Sequence, residues 1–247
     1  MATIRAFGGP TTLIEFGGLR FLTDPTFDGP GDYPTGSGYA LTKTAPSATT
    51  PADLGPVDAV LLSHDEHPDN LDASGRALLP TVPLVLTTTS GAGRLGGTAR
   101  GLAPWDSVEL TRPDGGTVTV TAAPALHGPE GCEPVIGQVI GFVLTAPDLP
   151  TVYVSGDNAS LPLVKEIADR FGPVDTAVLF AGAARTRRFD GALLTLDSAQ
   201  AAEAAVLLGA RRVVPAHFDS WGHFTEGREA LEAAFTAAGL GDRLDLS

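Results

Sequence analysis

The chain has 247 residues, 43% of them hydrophobic and 18% charged, and a formal net charge of −13. It is long enough to bury a full core, and its acidity argues against nucleic acid or an anionic membrane as partner, since both need cationic surface. No apolar run nears the ~18 residues that span a bilayer, no basic-then-apolar signal opens the chain, and a single cysteine, Cys132, excludes an intrachain disulfide and a multi-cysteine zinc cage. A cytoplasmic protein with no membrane span is expected.

Three short apolar runs, Thr3 to Phe7, Thr11 to Phe16 and Leu19 to Thr23, are separated by glycine-rich breaks and predict an antiparallel meander. Asp24 to Pro56 is too long and too rich in Pro, Gly and Thr for an ordinary connection. Its aromatic residues Phe27, Tyr33 and Tyr39 suggest a loop covering a site. Val57 to Leu62 reads as a buried strand. Leu71 to Leu79 reads as a short helix with Asp69 as a candidate N-cap. Further strands are expected at Leu84 to Thr87, Val108 to Leu110, Thr117 to Ala122, Gly141 to Leu144 and Thr151 to Ser155. A helix from Leu161 to Phe171, a strand from Thr176 to Phe180 and a helix from Ser198 to Leu208 follow. The last of these opens on Asp197 with Gln200 three residues later and closes at Gly209. Strand Arg212 to Pro215 precedes a final helix, Glu226 to Ala238, with Thr225 as its expected cap. Strand-rich text passes into strand–helix alternation without a linker, so one α/β domain over residues 1–247 is expected.

Histidine placement is the functional signal. His64 follows VDAVLLS, His127 follows TVTVTAAPAL and His217 follows RRVVPA, with His223 six residues later; Asp157 follows TVYVSG in the same manner. Loops at one edge of an α/β sheet converge, so His64, His67, Asp69, His127, Asp157 and His217 can meet at one place. Imidazoles with carboxylates suit a divalent metal: zinc first, with manganese or iron as substitutes. A hydrogen-bonded polar network is the other reading of the same residues.

SHDEHPDNLD resembles the HxHxDH signature of the metallo-β-lactamase superfamily, and ALHGP, VSGDN and VPAHFDSWGHF resemble its later motifs. GGPTTLIEFGGLRFLTDPTF and VDTAVLFAGAA resemble the branch containing ascorbate-6-phosphate lactonase and N-acylphosphatidylethanolamine phospholipase D. The resemblance implies a four-layer αβ/βα sandwich, two mixed β-sheets flanked by helices, with metals at one edge between the sheets. It places His64, His67 and His127 on a first metal, Asp69 and His217 on a second, and Asp157 between them. Two residues, Asp65 and Glu66, separate the first two histidines where the motif has one, and Asn70 occupies the position of its last histidine. Either the loop bulges, or Asp65 or Glu66 binds in place of His67, and of one or two bound ions the second is expected to be held less tightly.

A metal-dependent hydrolase of a small-molecule ester, lactone or phosphodiester bond is the function this implies. The bound ion lowers the pKa of its water toward ~7, giving a hydroxide nucleophile. Asp69 would orient it, and His223 or Tyr33 would donate to the oxyanion or leaving group. The rival is a catalytically impaired metal-binding or ligand-sensing protein on the same fold. A Ser63 or Cys132 nucleophile is a weaker reading, because neither lies in a Gly-flanked elbow. Asp65 and Glu66 are expected as solvated loop charges, Asn70 equally as a site residue or a turn residue, Ser63 as a strand-end hydroxyl, and Phe218 and Trp221 as packing residues. Arg185, Arg187 and Arg188 form the dense basic cluster, either an anion-recognition element or a solvated loop ion-paired with Asp190. The expected substrate is a small molecule, an anionic one if that cluster recognises anions; a homo-oligomer is compatible with everything above.

Overall fold

In the computed structural model, which describes residues 2–35 and 38–247, the apolar runs form two six-stranded mixed sheets. Gly36 and Ser37, inside the expected covering loop, lie outside the described residues. The chain runs β1 (Thr3–Ala6), β2 (Thr12–Phe16), β3 (Leu19–Thr23), β4 (Gly31–Pro34), β5 (Ala40–Lys43), β6 (Ala59–Leu61), α1 (Ala73–Leu78), β7 (Val85–Thr88), α2 (Thr89–Leu95) and β8 (Ala99–Leu102). It continues through β9 (Ser107–Thr111), β10 (Thr117–Pro124), α3 (Glu133–Ile136), β11 (Ile140–Ala146), β12 (Leu149–Val154), α4 (Leu161–Phe171), β13 (Thr176–Phe180), β14 (Arg185–Thr186), β15 (Ala192–Leu193), α5 (Ser198–Leu208), β16 (Arg212–Ala216) and α6 (Arg228–Ala237).

The first sheet has the order β1-β2-β3-β6-β7-β8, with an antiparallel meander leading into parallel strands. The second has the order β16-β13-β12-β11-β10-β9 and makes the reverse transition. Alternation along each strand separates the layers, because successive side chains point to opposite faces. Ala59 and Leu61 of β6 join Val178 and Phe180 of β13 in the core between the sheets. Val60 faces outward toward Leu71 and Leu79, while Ala177 and Leu179 face outward toward α4, α5 and α6. Phe21, Phe142 and Phe180, each 0% exposed in the central core, contribute roughly 1.5–3 kcal/mol apiece in transfer free energy. The result is the expected helix–sheet–sheet–helix sandwich.

Helix ends follow local chemistry. Ser160 caps α4 through its hydroxyl and Pro162 occupies the first turn, where no intrahelical donor is needed. Asp197 and Gln200 make the expected capping box of α5. Two cap expectations are corrected. Asp72, and not Asp69, caps α1 by accepting from Gly75 N at 2.8 Å. α6 begins after Gly227 with no side-chain cap, and the Thr225 hydroxyl instead donates to Ala183 O. The Asp24 to Pro56 segment is not structureless, since β4 and β5 form a hairpin within it. The pair α2 and β8 was not anticipated; TSGAGRL carries no apolar period strong enough to announce a helix.

Candidate metal centre

Each group stands just beyond a strand end. His64, His67 and Asp69 follow β6, His127 follows β10, Asp157 follows β12, and His217 and His223 follow β16, so both sheets contribute and all five histidines of the chain gather at one edge. Two backbone features make the approach close. Gly156 has φ +56°, and a Cβ there would lie 2.6 Å from Ile140 O and 2.9 Å from Ser63 Cβ, so the Asp157 turn can rest against the His64 strand only without a side chain. His217 has φ 54°, a costly conformation for a non-glycine residue. It is held there by donating its N–H to Gly9 O at 2.7 Å, in the turn between β1 and β2 of the first sheet.

His64, His67, His127 and Asp157 each direct one ligand atom into a space where all four atoms lie within 4.8 Å of one another. The outward nitrogens are engaged where metal ligands need it: Ser63 Oγ is 3.0 Å from His64 Nδ1, and His127 Nδ1 donates to Leu194 O at 2.7 Å, turning Nε2 inward. Ser63, expected merely to close a strand end, also holds the His64 imidazole in its orientation. Asp157 faces two ways. Its Oδ2 is 3.4 Å from His127 Nε2 and 4.0 Å from His64 Nε2, and its Oδ1 is 3.4 Å from His217 Nε2. On that second side Asp69 Oδ2 lies 3.4 Å from His217 Nε2 and 3.1 Å from His223 Nε2.

The charges of the site are poised for a cation. Burial, then the neighbouring imidazole of His67, holds His64 well below its ordinary 6.5; burial and His127 lower His67. Both keep lone pairs free at neutral pH. Burial opposes a charge on His217, yet the Asp157 and Asp69 carboxylates beside it raise it to about 10. Burial likewise pushes Asp69 and Asp157 upward, but the imidazoles of His217 and its neighbours prevail and hold both carboxylates down. Buried anions and lone pairs thus call for positive charge at this point, and Asp69 Oδ1 and Asp157 Oδ1 are buried without a hydrogen-bond partner. The donor set fits a divalent metal.

The additional residue in the motif is accommodated by a bulge. His67 faces the centre, while Asp65 and Glu66 turn away to Arg94 of α2, whose Nη2 is 2.5 Å from Asp65 Oδ1 and 2.5 Å from Glu66 Oε1. Asp65 is only 6% exposed, so the reading of it as a solvated charge is corrected. A Cβ on Gly91 of the same helix would stand 2.9 Å from Asp65 Oδ1. Asn70 is fully buried, its Nδ2 3.5 Å from Asp24 Oδ2. Asp24, which the sequence reading passed over, also accepts from Ser63 N at 2.6 Å; burial, with Asp157 nearby, raises it to about 8. The signal that singled out Asp157, a carboxylate just past a strand end, could have found it.

A cavity of about 450 Å³ opens onto His67, Asp69, His127, Asp157, His217 and His223. Its outer wall is the β14–β15 turn with Arg185, Arg187 and Arg188, together with Thr35, Tyr39 and Leu41 of the β4–β5 hairpin. The hairpin thus covers the site as expected. Tyr33 does not serve it: its hydroxyl donates to Gly29 O and its ring meets Trp221 edge-on at 5.5 Å. Among the described residues Arg185 has no ion pair with Asp190; its Nη1 donates to Gly191 O at 3.0 Å. Trp221 is buried and Phe218 packs against the outer core of the second sheet, as packing residues.

Residues 19–218 match the family described as the β-lactamase superfamily domain. The chain belongs to that superfamily. It is 30% identical over 234 residues to a UPF0173 metal-dependent hydrolase of Methanosphaerula palustris, covering 92% of this chain and 88% of the relative. It is 26% identical over 225 residues to one of Pyrococcus abyssi, covering 90% and 86%. Among solved structures, the isothiocyanate hydrolase from Delia radicum gut bacteria superposes with a TM-score of 0.81 at 22% identity over 99% of this chain and 95% of that one. A metallo hydrolase from Ignicoccus hospitalis superposes at 0.71 and 20% identity over 100% and 94%. These likenesses show the fold. With the superfamily membership and the donor set, the chain is a metal-dependent hydrolase; among its described residues no helix is long and apolar enough to cross a membrane.

Proposed function

We propose that the chain hydrolyses an ester, lactone or phosphodiester bond in a small anionic molecule, with zinc as metal and manganese or iron as substitutes. The observation that carries this is the two-faced Asp157, set between histidines on either side at the floor of a cavity walled by arginines. His64, His67, His127 and Asp157 would hold the first ion, and Asp69 and His217 stand beside it. A bound divalent ion supplies Lewis acidity and an activated water. The protein supplies the rest. Asp69, held as a carboxylate by its imidazole neighbours, accepts a hydrogen bond from the attacking water and fixes its direction. Arg187 and Arg188, exposed at the mouth, present guanidinium groups to an anionic substituent and orient the scissile bond toward the floor. The hairpin restricts bulk water. A single buried free cysteine suits a reducing compartment such as the cytoplasm. The alternative, a metal-binding or sensing protein without turnover, is favoured by one feature, Asn70 in place of a ligand.

The test is removal of metal by chelation, assay against a panel of esters, lactones and phosphodiesters, and restoration with zinc or manganese. Chelation should abolish turnover of at least one class and zinc or manganese should restore it. Turnover unaffected by chelation, or none on any class with the metal content verified, would refute the reading.

A further inference from the structure

Three cavities share walls along the edge that carries the histidines. The catalytic cavity of about 450 Å³ and a neighbour of about 550 Å³ both have Thr35, Tyr39, His67 and Arg188 in their lining. That neighbour shares Ser90, Glu133 and Gln138 with a third cavity of about 1050 Å³. The third stands at the top of the range of ligand sites, roughly 300–1,000 Å³. It is lined by the buried Leu102, Val139 and Ile140 and by the half-buried Leu126, Leu161 and Leu163. The loops after β10 and β12 divide it from the catalytic cavity. His127 and Asp157 face the catalytic side, whereas Leu126, Ala159 and Ser160 of the same loops face the apolar side. Asn158 laces the two loops together: Leu126 N and Ser160 N both donate to its Oδ1 at 3.1 Å, and Ala159 N donates to Leu126 O at 2.8 Å.

Charge changes in one direction along the three cavities. Arg185, Arg187 and Arg188 stand at the catalytic cavity. Among the described residues that line the third, the charged ones are Glu130 and Glu133, and there is no cation. An anion is therefore favoured at one end and opposed at the other, where nothing would neutralise it. Between the ends, Tyr39 and Val135, 54% and 50% exposed, line the middle cavity. Large apolar side chains left to solvent beside an open apolar cavity mark a binding surface for apolar groups.

We propose that the molecule bound here is an anionic amphiphile, with its anionic part at Arg187 and Arg188 and an unbranched apolar chain running past Tyr39 and Val135 into the cavity between Leu126, Val139 and Leu163. The inference rests on the hydrolase reading for the place of the scissile bond, which lies at the catalytic cavity, and it adds the apolar part of the substrate. Head and chain belong to one ligand, so a change at either end acts on the affinity of the whole.

The experiment is calorimetric titration of the metal-loaded protein with straight-chain alkyl sulfonates from butyl to dodecyl, which are anions that cannot be hydrolysed, below their micelle-forming concentrations. Affinity should rise by about twofold to fourfold with each added methylene, as when a methylene leaves water for an apolar site. Leu163→Glu should flatten the rise for the longer chains and leave butyl sulfonate unchanged. Because Leu163 is half-buried and its variant could fail through folding, Val135→Glu, at an exposed position, gives the same readout. Val206→Glu, exposed on α5 and outside all three cavities, should keep the full rise. Arg187→Ala and Arg188→Ala should weaken every chain length by a common factor. No rise in wild type, or a rise intact in both cavity variants, would overturn the proposal and leave the hydrolase reading to its chelation test. Long-chain affinity unmoved in both arginine variants would mean a chain bound apart from the catalytic cavity, and would overturn it too. The full rise with no chelator-sensitive turnover of any ester, lactone or phosphodiester would uphold the ligand class and overturn the hydrolase reading alone.

Discussion

Replacing Arg94 by alanine tests whether the bulge at Asp65 and Glu66 is what keeps His67 in the centre. Arg94 meets Asp65 with Nε at 3.1 Å from both carboxylate oxygens and with Nη2 at 2.5 Å from one, and it meets Glu66 with the same Nη2 at 2.5 Å. The Asp65 side chain is 3% exposed and that of Arg94 42%. Stripping a buried carboxylate of its partner costs about 3–5 kcal/mol when both charges are buried. Solvent at the exposed end of Arg94 screens part of this, so roughly 2–3 kcal/mol is expected, which for a chain of this size lowers the melting temperature by about 5–10 °C. Two carboxylates left adjacent also repel, and Glu66, already raised by burial and by Asp65, loses the cation that lowers it. The strain falls on the residues between His64 and His67. First-site metal affinity, measured by competition with a chromophoric chelator, should therefore drop together with stability. Arg94→Lys, which keeps the charge but not the fork, should fall between. Wild-type melting temperature and metal affinity in Arg94→Ala would refute the argument that the ion pair holds the bulge.

Asp24 gives a pH dependence with a definite sign. Its carboxyl rises from 3.8 to about 8 in the folded chain, so below 3.8 it is protonated in both states, and above that value the unfolded chain ionises first. Stability is lost as the pH rises through the window up to about 8, by roughly 6 kcal/mol at most. Asp24→Asn keeps an acceptor for Ser63 N and removes the ionisation. In urea unfolding of the metal-freed protein its stability, relative to wild type, should increase from pH 4.5 to pH 8; parallel curves would show that Asp24 does not carry the raised value. Arg187→Ala and Arg188→Ala should each raise KM for an anionic substrate by roughly threefold to tenfold with kcat little changed, whereas Arg185→Ala should do less because its guanidinium already bonds Gly191 O. Unaltered KM in all three would remove the anion-recognition role.

Much of the sandwich was legible because its central strands are buried on both faces: AVLL at 59–62 and AVLF at 177–180 are apolar at every position, and such runs stand out from their surroundings. The candidate ligands stood out for a related reason, since a histidine or aspartate directly past such a run has little local purpose. What was not legible depends on distant partners. Glu66 reads as a solvated charge until Arg94 is placed beside it by the unforeseen α2, and Tyr33 reads as a donor until its hydroxyl is found on Gly29 O. Asp69 satisfied the rule for a helix cap as well as Asp72 did; only the hydrogen bond from Gly75 N to Asp72 Oδ1 shows which one begins α1.

The Asp24 to Pro56 excursion shows the same limit in its most consequential form. Its length suggested a cover, and Tyr39 and Leu41 do wall the cavity. Its other edge carries a role that no local pattern announces. Lys43 is buried, with Nζ donating to Thr26 O at 3.2 Å, 3.5 Å from Asp72 Oδ2 and 5.5 Å from the Trp221 ring. One side chain thus ties β5 to the cap of α1 and to the segment that ends in His223. A buried ammonium so engaged cannot leave without stranding its partners. Any movement of the hairpin that uncovers the cavity therefore also strips Gly222 and Ser220 of their backbone partners on Thr42 and Thr44. Access to the cavity and the placement of His223 against Asp69 are governed by the same contacts of β5, so a change that loosens β5 must act on substrate entry and on the His223 side of the site together.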